Sequence, residues 1–281
     1  MTAMSYRESI RAAIADAMRE DDTVIVMGED QRGGKGGINP DPTIEAFGGV
    51  MGVTKGLWTE FGDARVIDTP ITESAIMGMA AGAAATGLRP VAELMFMDFF
   101  GVCYDLIWNQ ASKFRYMFGG KAKTPMVMRG IIGAGIGAAA QHSASPYNIF
   151  TATAGVKVVC PSNAYDARGL LLTSIRDDDP VIFCEHKALY DVKGEVPDEP
   201  YTIPLGVANY TRQGDDVTIV ALANMVNVAN RVADQLATEG ISVEVVDPRT
   251  TSPLDEEGIL ESVAATGRVV IADESTARCG F

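Results

Sequence analysis

Strand-like and helix-like periods alternate along almost the whole chain, and that alternation restricts it to parallel sheets covered by helices, with ligands near the C-terminal ends of the strands. Ser5 to Glu20 reads as a capped helix carrying Ile10, Ala13, Ile14 and Met18 on one face. "TVIVMGED" follows as a buried strand ending in two acids, then the Gly-rich loop "RGGKGGINPDPT". A short helix near "TKGLWTEFG" leads to the strand "ARVID" and the apolar helix "SAIMGMAAGAAATGL". Three more pairings come next, "PVAELMF" with "GVCYDLIWNQASKFRYMF", "TPMVMRGII" with "ASPYNIFTATAG" and "VKVVC" with "AYDARGLLLTSIR", and then the strand "VIFCEH".

From Lys187 to Asp216 no period is sustained, while prolines, glycines and paired acids supply turn signals. Beyond it "VTIVAL", "MVNVANRVADQLATEG", "ISVEVVD", "LDEEGILESVAATG" and "RVVIAD" form a second β-α-β-α-β unit. The expected fold class is therefore α/β with two doubly wound domains. They span residues 1–190 and 217–281, joined by a linker over 191–216, and the second reads as truncated because the chain stops soon after a strand.

With 37 acidic and 23 basic side chains among 281 residues, the net charge of −14 repels nucleic acid and anionic membranes. No apolar run free of Gly, Pro and charge approaches the about 20 residues a bilayer requires. The first twenty residues mix acids and bases at helical spacing, without the core of a signal peptide or the pattern of a transit peptide, so a cytoplasmic location is expected. Cys103, Cys160, Cys184 and Cys279 never form a C-x-x-C, and each sits in an apolar setting that predicts a buried, inert thiol.

One carboxylate, Glu73, stands at the front of the apolar helix. As a first-turn acid behind an N-cap at Thr72 it would stabilise the helix dipole by roughly 0.3 to 1 kcal/mol. The helix behind it has no polar face, however, and is expected to be enclosed on all sides. Desolvation there would make Glu73 a proton donor or a hydrogen-bond partner for a ring nitrogen of a cofactor lodged against the helix.

"GED" after the first strand, "RVIDTPITE", "ATGLRPVAELMFMDF", "GAAAQHS", "KVVCPSNAYDARGLL", "IRDDDPVIF" and "VDPRTTSPLD", in this order over nearly the whole chain, resemble the beta subunit of thiamine-diphosphate-dependent 2-oxo acid dehydrogenase components, a transketolase-like family. Within it, "NQASKFRYMFGGKAKTP" and "VIFCEHKALYDVKGEVP" look most like the acetoin-cleaving branch and next like the pyruvate branch. The resemblance implies a pyrimidine-binding first domain and an open-sheet C-terminal domain. It implies that Glu73 binds the aminopyrimidine ring nitrogen of thiamine diphosphate, that Phe99 stacks on that ring, and that Ile71 and Glu29 complete the pocket, Glu29 on the thiazolium side. His142 would face the channel that admits substrate and the lipoyl group, where an ordinary imidazole suits proton transfer. A structural potassium on the backbone carbonyls of Ile175 and Asp177 is also implied, although Ser174 and Asp179 depart from that pattern.

Outside the resemblance each of these residues has a plainer reading. Glu29 is a solvated strand-end acid, Phe99 a core aromatic, and His142 a structural or exposed histidine after a Gly/Ala loop. Phe96 and Phe100 read as core, and His186 has no catalytic role.

The G-D-G and N-N elements with which thiamine enzymes hold Mg²⁺ and the diphosphate are absent from the sequence. By resemblance they belong to an alpha subunit, so the expected assembly is a heterotetramer of two alpha and two beta subunits. It would act on acetoin or pyruvate and deliver a two-carbon unit to the lipoyl groups of an acyltransferase core. Two other classes stay open. Gly133, Gly135 and Ala138 satisfy G-x-G-x-x-A after a strand, the mark of an NAD-dependent dehydrogenase, but mid-chain and with Val158 where the acid should stand. A non-catalytic assembly module would account for the missing diphosphate elements.

Overall fold

The computed structural model describes residues 1–32 and 47–280; most of the Gly-rich loop after the first buried strand lies outside the described residues. A short strand β1 (Thr2–Ser5) leads into helix α1 (Tyr6–Glu20). Ser5 and Glu8 close a capping box, with Ser5 N donating to Glu8 Oε2 at 2.7 Å, a device that stabilises a helix start by about 1 kcal/mol. The predicted apolar face is the buried one: Ile10, Ala13, Ile14 and Met18 are all in the core.

The first domain continues through β2 (Val24–Gly28), α2 (Leu57–Phe61), β3 (Val66–Asp68), α3 (Glu73–Ala85) and β4 (Arg89–Phe96). After β4 the predicted single helix is broken into a 3₁₀ turn, α4 (Phe100–Asp105), a π-helical turn over Leu106–Ala111 and α5 (Phe114–Met117). Then come β5 (Val127–Ile132), α6 (Tyr147–Thr151), β6 (Lys157–Val159), α7 (Ala164–Arg176) and β7 (Val181–His186). The sheet order is β3, β2, β4, β5, β7, β6, all parallel. Its strands are buried on both faces, which is why they read as continuous apolar runs rather than alternating ones.

One face is packed by α1, α2 and α7 and the other by α3, α4 and α6. Leu170, Leu171 and Leu172 of α7 are completely buried, each worth about 1.5 to 3 kcal/mol of transfer free energy.

The stretch expected to link the domains is not structureless. β8 (Lys193–Val196) pairs antiparallel with β1, and β9 (Asn209–Arg212) pairs antiparallel with β11 of the second sheet. That sheet contains β10 (Val217–Ala221), β11 (Val243–Asp247) and, after β12 and the helix α9, β13 (Val269–Ala272), in the order β13, β10, β11, β9. Helices α8 (Asn224–Ala237) and α9 (Glu256–Thr266) cover it. Strand β12 (Thr250–Ser252) leaves its own domain and pairs antiparallel with β6, covering an edge of the first sheet that would otherwise be open. Among the described residues no helix is long and apolar enough to cross a membrane.

Cys103, Cys160 and Cys184 are buried as expected, and burial pushes the Cys103 thiol up to about 12. Cys279 departs from the expectation: it is exposed, in the turn after β13 where no core exists to receive it.

Candidate active site

Strands β2 and β4 are neighbours in the sheet, yet the chain leaves them toward opposite faces, to α2 after β2 and to α4 after β4. A crevice must open at the C-terminal ends of such a pair, and ligands of open α/β sheets bind there. Glu29 follows β2 and Phe99 follows β4, so two of the sequence-predicted residues flank this crevice.

Glu29 is half-buried, and its carboxyl is raised above the ordinary carboxylate range, first by desolvation and then by the negative charges of Glu73, Glu93 and Asp30. It therefore retains a proton to higher pH than a solvated glutamate, which the plain reading of a strand-end acid does not provide. At the end of the adjoining β3, Asp68 is raised by desolvation as well. One oxygen of Asp68 accepts from Arg32 N at 2.8 Å, while among the described residues Asp68 Oδ2 and Thr69 Oγ1 are buried without a hydrogen-bond partner. Buried polar atoms of this kind require an explanation. Beside a proton-retaining carboxyl they make a wall suited to a polar heterocycle.

Glu73 begins α3 and lies half-buried at the same end of the sheet. Its charge is felt by Glu29 on one side and by the Cys103 thiol of α4 on the other. Two expectations about its helix are corrected. Thr72 occupies the N-cap position but its side chain makes no capping bond. Nor is α3 enclosed on all sides: Ile76, Met77, Ala80, Ala81 and Ala84 are buried, whereas Ala75 and Gly82 are exposed and Met79 is 49% exposed. The small side chains on that open strip allow another backbone to approach closely. Ile71, just before the helix, is 80% exposed on the same side.

Across the crevice, the His142 imidazole meets Phe96 and Phe99 edge to face, with centroid separations of 4.6 and 5.4 Å. Phe99 and His142 are thus brought together, and Phe96, expected to be plain core, takes part. Asp98 Oδ1 accepts from Ser143 N at 3.2 Å and Ala144 N at 3.1 Å, and Lys187 Nζ donates to the His142 carbonyl. Sequence reasoning missed Asp98 and Lys187; the charge of Asp98 inside the aromatic run "FMDFF" was the available signal.

Beneath the crevice lies a buried polar network that also escaped the sequence. Arg129 binds Glu185 through two hydrogen bonds of 2.6 and 2.9 Å and reaches Glu93 at 3.1 Å, and Tyr190 donates to Glu185 at 2.8 Å. Gln31 Nε2 joins this network to the site, donating to Glu93 Oε1 at 3.0 Å and to the Glu29 carbonyl at 2.9 Å.

The dinucleotide reading finds no support in the geometry. After Gly133, Gly135 and Ala138 comes only a three-residue 3₁₀ turn, Ala140–His142, so no α-helix begins at the motif to present its N-terminus to a pyrophosphate. Gly133, at φ +92, is required for another reason: a Cβ there would lie 2.1 Å from His186 Nε2. The turn expected to hold potassium is tied by cationic side chains. The carbonyls of Ile175 and Asp177 accept from Arg89 Nη1 at 3.3 and 2.9 Å, and Lys157 Nζ sits 2.6 Å from Asp177 Oδ1. A guanidinium and an ammonium thus already hold this turn. Among the described residues no cluster of three metal-ligating side chains exists. A hollow of about 710 Å³ lined by Arg115, Tyr116, Lys157 and Pro253 opens at the N-terminal edge of the sheet, away from the carboxylates.

Residues 2–193 match the transketolase pyrimidine binding domain and residues 206–281 the transketolase C-terminal domain. The chain is 56% identical to the acetoin:2,6-dichlorophenolindophenol oxidoreductase subunit beta of Cupriavidus necator, over 99% of this chain and 81% of that one. It is 41% identical to the pyruvate dehydrogenase E1 component subunit beta of Bacillus subtilis, over 100% of this chain and 83% of that one. Among solved structures, a split gene transketolase described as an inactive beta4 tetramer superposes with a TM-score of 0.77 at 26% identity, covering 99% of this chain and 82% of the other. With both domains matched and the crevice at the expected strand ends, this chain belongs to the transketolase-like, thiamine-diphosphate-dependent family, alongside the beta subunits of dehydrogenase components.

Proposed function

We propose that the chain is the beta subunit of the thiamine-diphosphate-dependent component of an acetoin dehydrogenase complex, cleaving acetoin and passing the two-carbon unit to lipoamide. The observation that carries this reading is the 56% identity to an acetoin oxidoreductase beta subunit, extending over 99% of the chain. Thiamine diphosphate, when bound, supplies a nucleophilic carbon for the substrate carbonyl and an electron sink for the bond that breaks.

The chain's own residues supply the setting. Glu73 hydrogen-bonds a ring nitrogen of the aminopyrimidine, and Phe99 and Ile71 hold the face of that ring. Glu29, whose carboxyl keeps its proton to raised pH, moves protons near the reacting end. His142, between Phe96 and Phe99, serves proton transfer at the mouth of the channel that the lipoyl arm enters. Mg²⁺ and the diphosphate belong to an alpha subunit, which covers the open strip of α3 around Met79 and the exposed Ile71, in a heterotetramer of two alpha and two beta subunits.

The test is reconstitution with an alpha chain bearing G-D-G and N-N, Mg²⁺ and thiamine diphosphate, followed by dye-linked oxidation of acetoin and of pyruvate. Acetoin turnover with release of acetaldehyde is expected. Preferential release of carbon dioxide from pyruvate would instead make the chain a pyruvate dehydrogenase beta subunit, the reading favoured by the 41% relative. Turnover of neither, with nucleotide bound by the chain alone, would overturn both.

A further inference from the structure

The loop that carries His142 has few side chains with which to hold itself. From Gly133 to Ala140 it is built of Gly, Ala and Ile, and Ala139 sits at φ 60, a backbone region that alanine rarely adopts. Within the loop, Gly133 N donates to the Ala144 carbonyl at 3.1 Å and Ser143 Oγ to the Ala139 carbonyl at 2.7 Å. From outside it, Asp98 accepts from the amides of Ser143 and Ala144, and Lys187 reaches the carbonyl of His142 itself.

Lys187 is the unusual member of that set. Only 4% of it is exposed, although a lysine is seldom buried and loses both hydration and side-chain entropy when it is. Desolvation pushes its pKa down, opposed by the charges of Asp98 and Glu274. Its ammonium lies 5.3 Å from the centroid of the Phe96 ring, the same ring that packs against the imidazole. A buried ammonium that bonds a loop carbonyl and rests on the neighbouring aromatic fixes two of the three groups that define where the imidazole stands.

We infer that Lys187 is a positioning residue for His142: its buried ammonium, bonded to the His142 carbonyl and seated over Phe96, sets the imidazole between Phe96 and Phe99 at the crevice. The inference rests on the reading of His142 as a group of the site, and it adds the residue that aims it. Aim matters because a displacement of about 1 Å in a reacting group costs on the order of 10²-fold in rate.

The full chain carries two histidines, His142 and His186, so its imidazole Cε1–H region in a proton–carbon NMR spectrum holds two signals, assigned by loss of one in H142A. The His142 signal is expected away from the free-histidine position, displaced by the ring currents of two phenyl groups. In K187M that displacement is expected to be lost while the His186 signal stays; in K187R, which retains a charged donor, it is expected to remain. A displaced His142 signal persisting in K187M would overturn the inference. So would loss of the folded circular-dichroism spectrum in K187M, which would make the lysine a residue of core stability. The measurement involves no turnover, so a failure of acetoin cleavage and a failure of this inference are told apart.

Discussion

Asp247 ends β11 at the junction of the two domains, completely buried, and its carboxyl is raised from 3.8 to about 7 by desolvation, with the charge of Asp166 adding to the effect. Ser162 of the first domain donates to Asp247 Oδ2 at 2.5 Å, Arg249 N donates to Oδ1 at 2.8 Å, and the Arg249 guanidinium is engaged by Asp166 at 2.6 Å. The folded chain thus binds this proton more tightly than the unfolded chain does. Protonation favours folding: the contribution is complete below the unfolded value and is lost as pH rises through about 7. At about 1.4 kcal/mol per unit, the full shift corresponds to roughly 4 kcal/mol, of which about 2 to 3 kcal/mol falls between pH 5 and pH 8. Asp247→Asn keeps an acceptor for Arg249 N and presents an amide to the Ser162 hydroxyl, but it cannot ionise. Urea denaturation of both proteins by circular dichroism should show the variant gaining about 2 to 3 kcal/mol relative to wild type between those pH values. A difference that is flat with pH, or that shrinks toward pH 8, would refute the reasoning, because it would mean that the carboxyl ionises normally inside the fold.

Glu73→Gln in the reconstituted complex should lower turnover by about 10²- to 10⁴-fold with an unchanged circular-dichroism spectrum; full activity would falsify its role. Arg129→Met removes the cation between two buried carboxylates and should cost about 3 to 5 kcal/mol in urea denaturation, whereas a neutral result would show that Glu93 and Glu185 are held by other groups. Because Arg89 and Lys157 hold the turn around Asp177, the melting temperature should be the same in potassium and in tetramethylammonium salts of equal strength; a rise specific to potassium would restore a cation site there.

The elements that sequence made legible are those in which periodicity and capping agree. Helix α7 runs over the predicted "AYDARGLLLTSIR" because Asn163 caps it and its leucines all face one core. The strands β2, β4 and β7 carry apolar runs that leave no other reading. Short strands were hidden: β8, β9 and β12 are three or four residues long and gain their structure from partners far away in sequence, β1, β11 and β6. The same reason hid half of the site. Glu93 and Arg129 look like exposed strand positions until β4 and β5 are paired, when they fall opposite each other in register. Glu29 and Glu73 were visible because a carboxylate at a strand end or a helix start needs only local pattern. Lys187 and Asp98 were not, because what they hold is a backbone more than forty residues away.

Electrostatics supports the proposal that this site is shared with a second polypeptide. Among the described residues at the crevice, Glu29, Asp30, Asp68 and Glu73 gather at the ends of two adjacent strands. The nearby guanidinium of Arg32 is already committed to the Val66 carbonyl at 2.8 Å and to Asp63. Such a group of carboxylates, with Glu29 and Asp68 raised by desolvation and by neighbouring negative charge, favours a protonated or proton-sharing nitrogen and disfavours a diphosphate. A ligand that carries a basic ring at one end and two phosphates at the other would then lie across this chain with only its ring end against Glu29 and Glu73. Its anionic end needs cations, and among the described residues the nearby Arg32 is already engaged. A polypeptide supplying those cations could pack on the open strip of α3 that carries Met79 and on the exposed Ile71 two residues before Glu73, so that one contact both covers the apolar strip and completes the charge balance of the site.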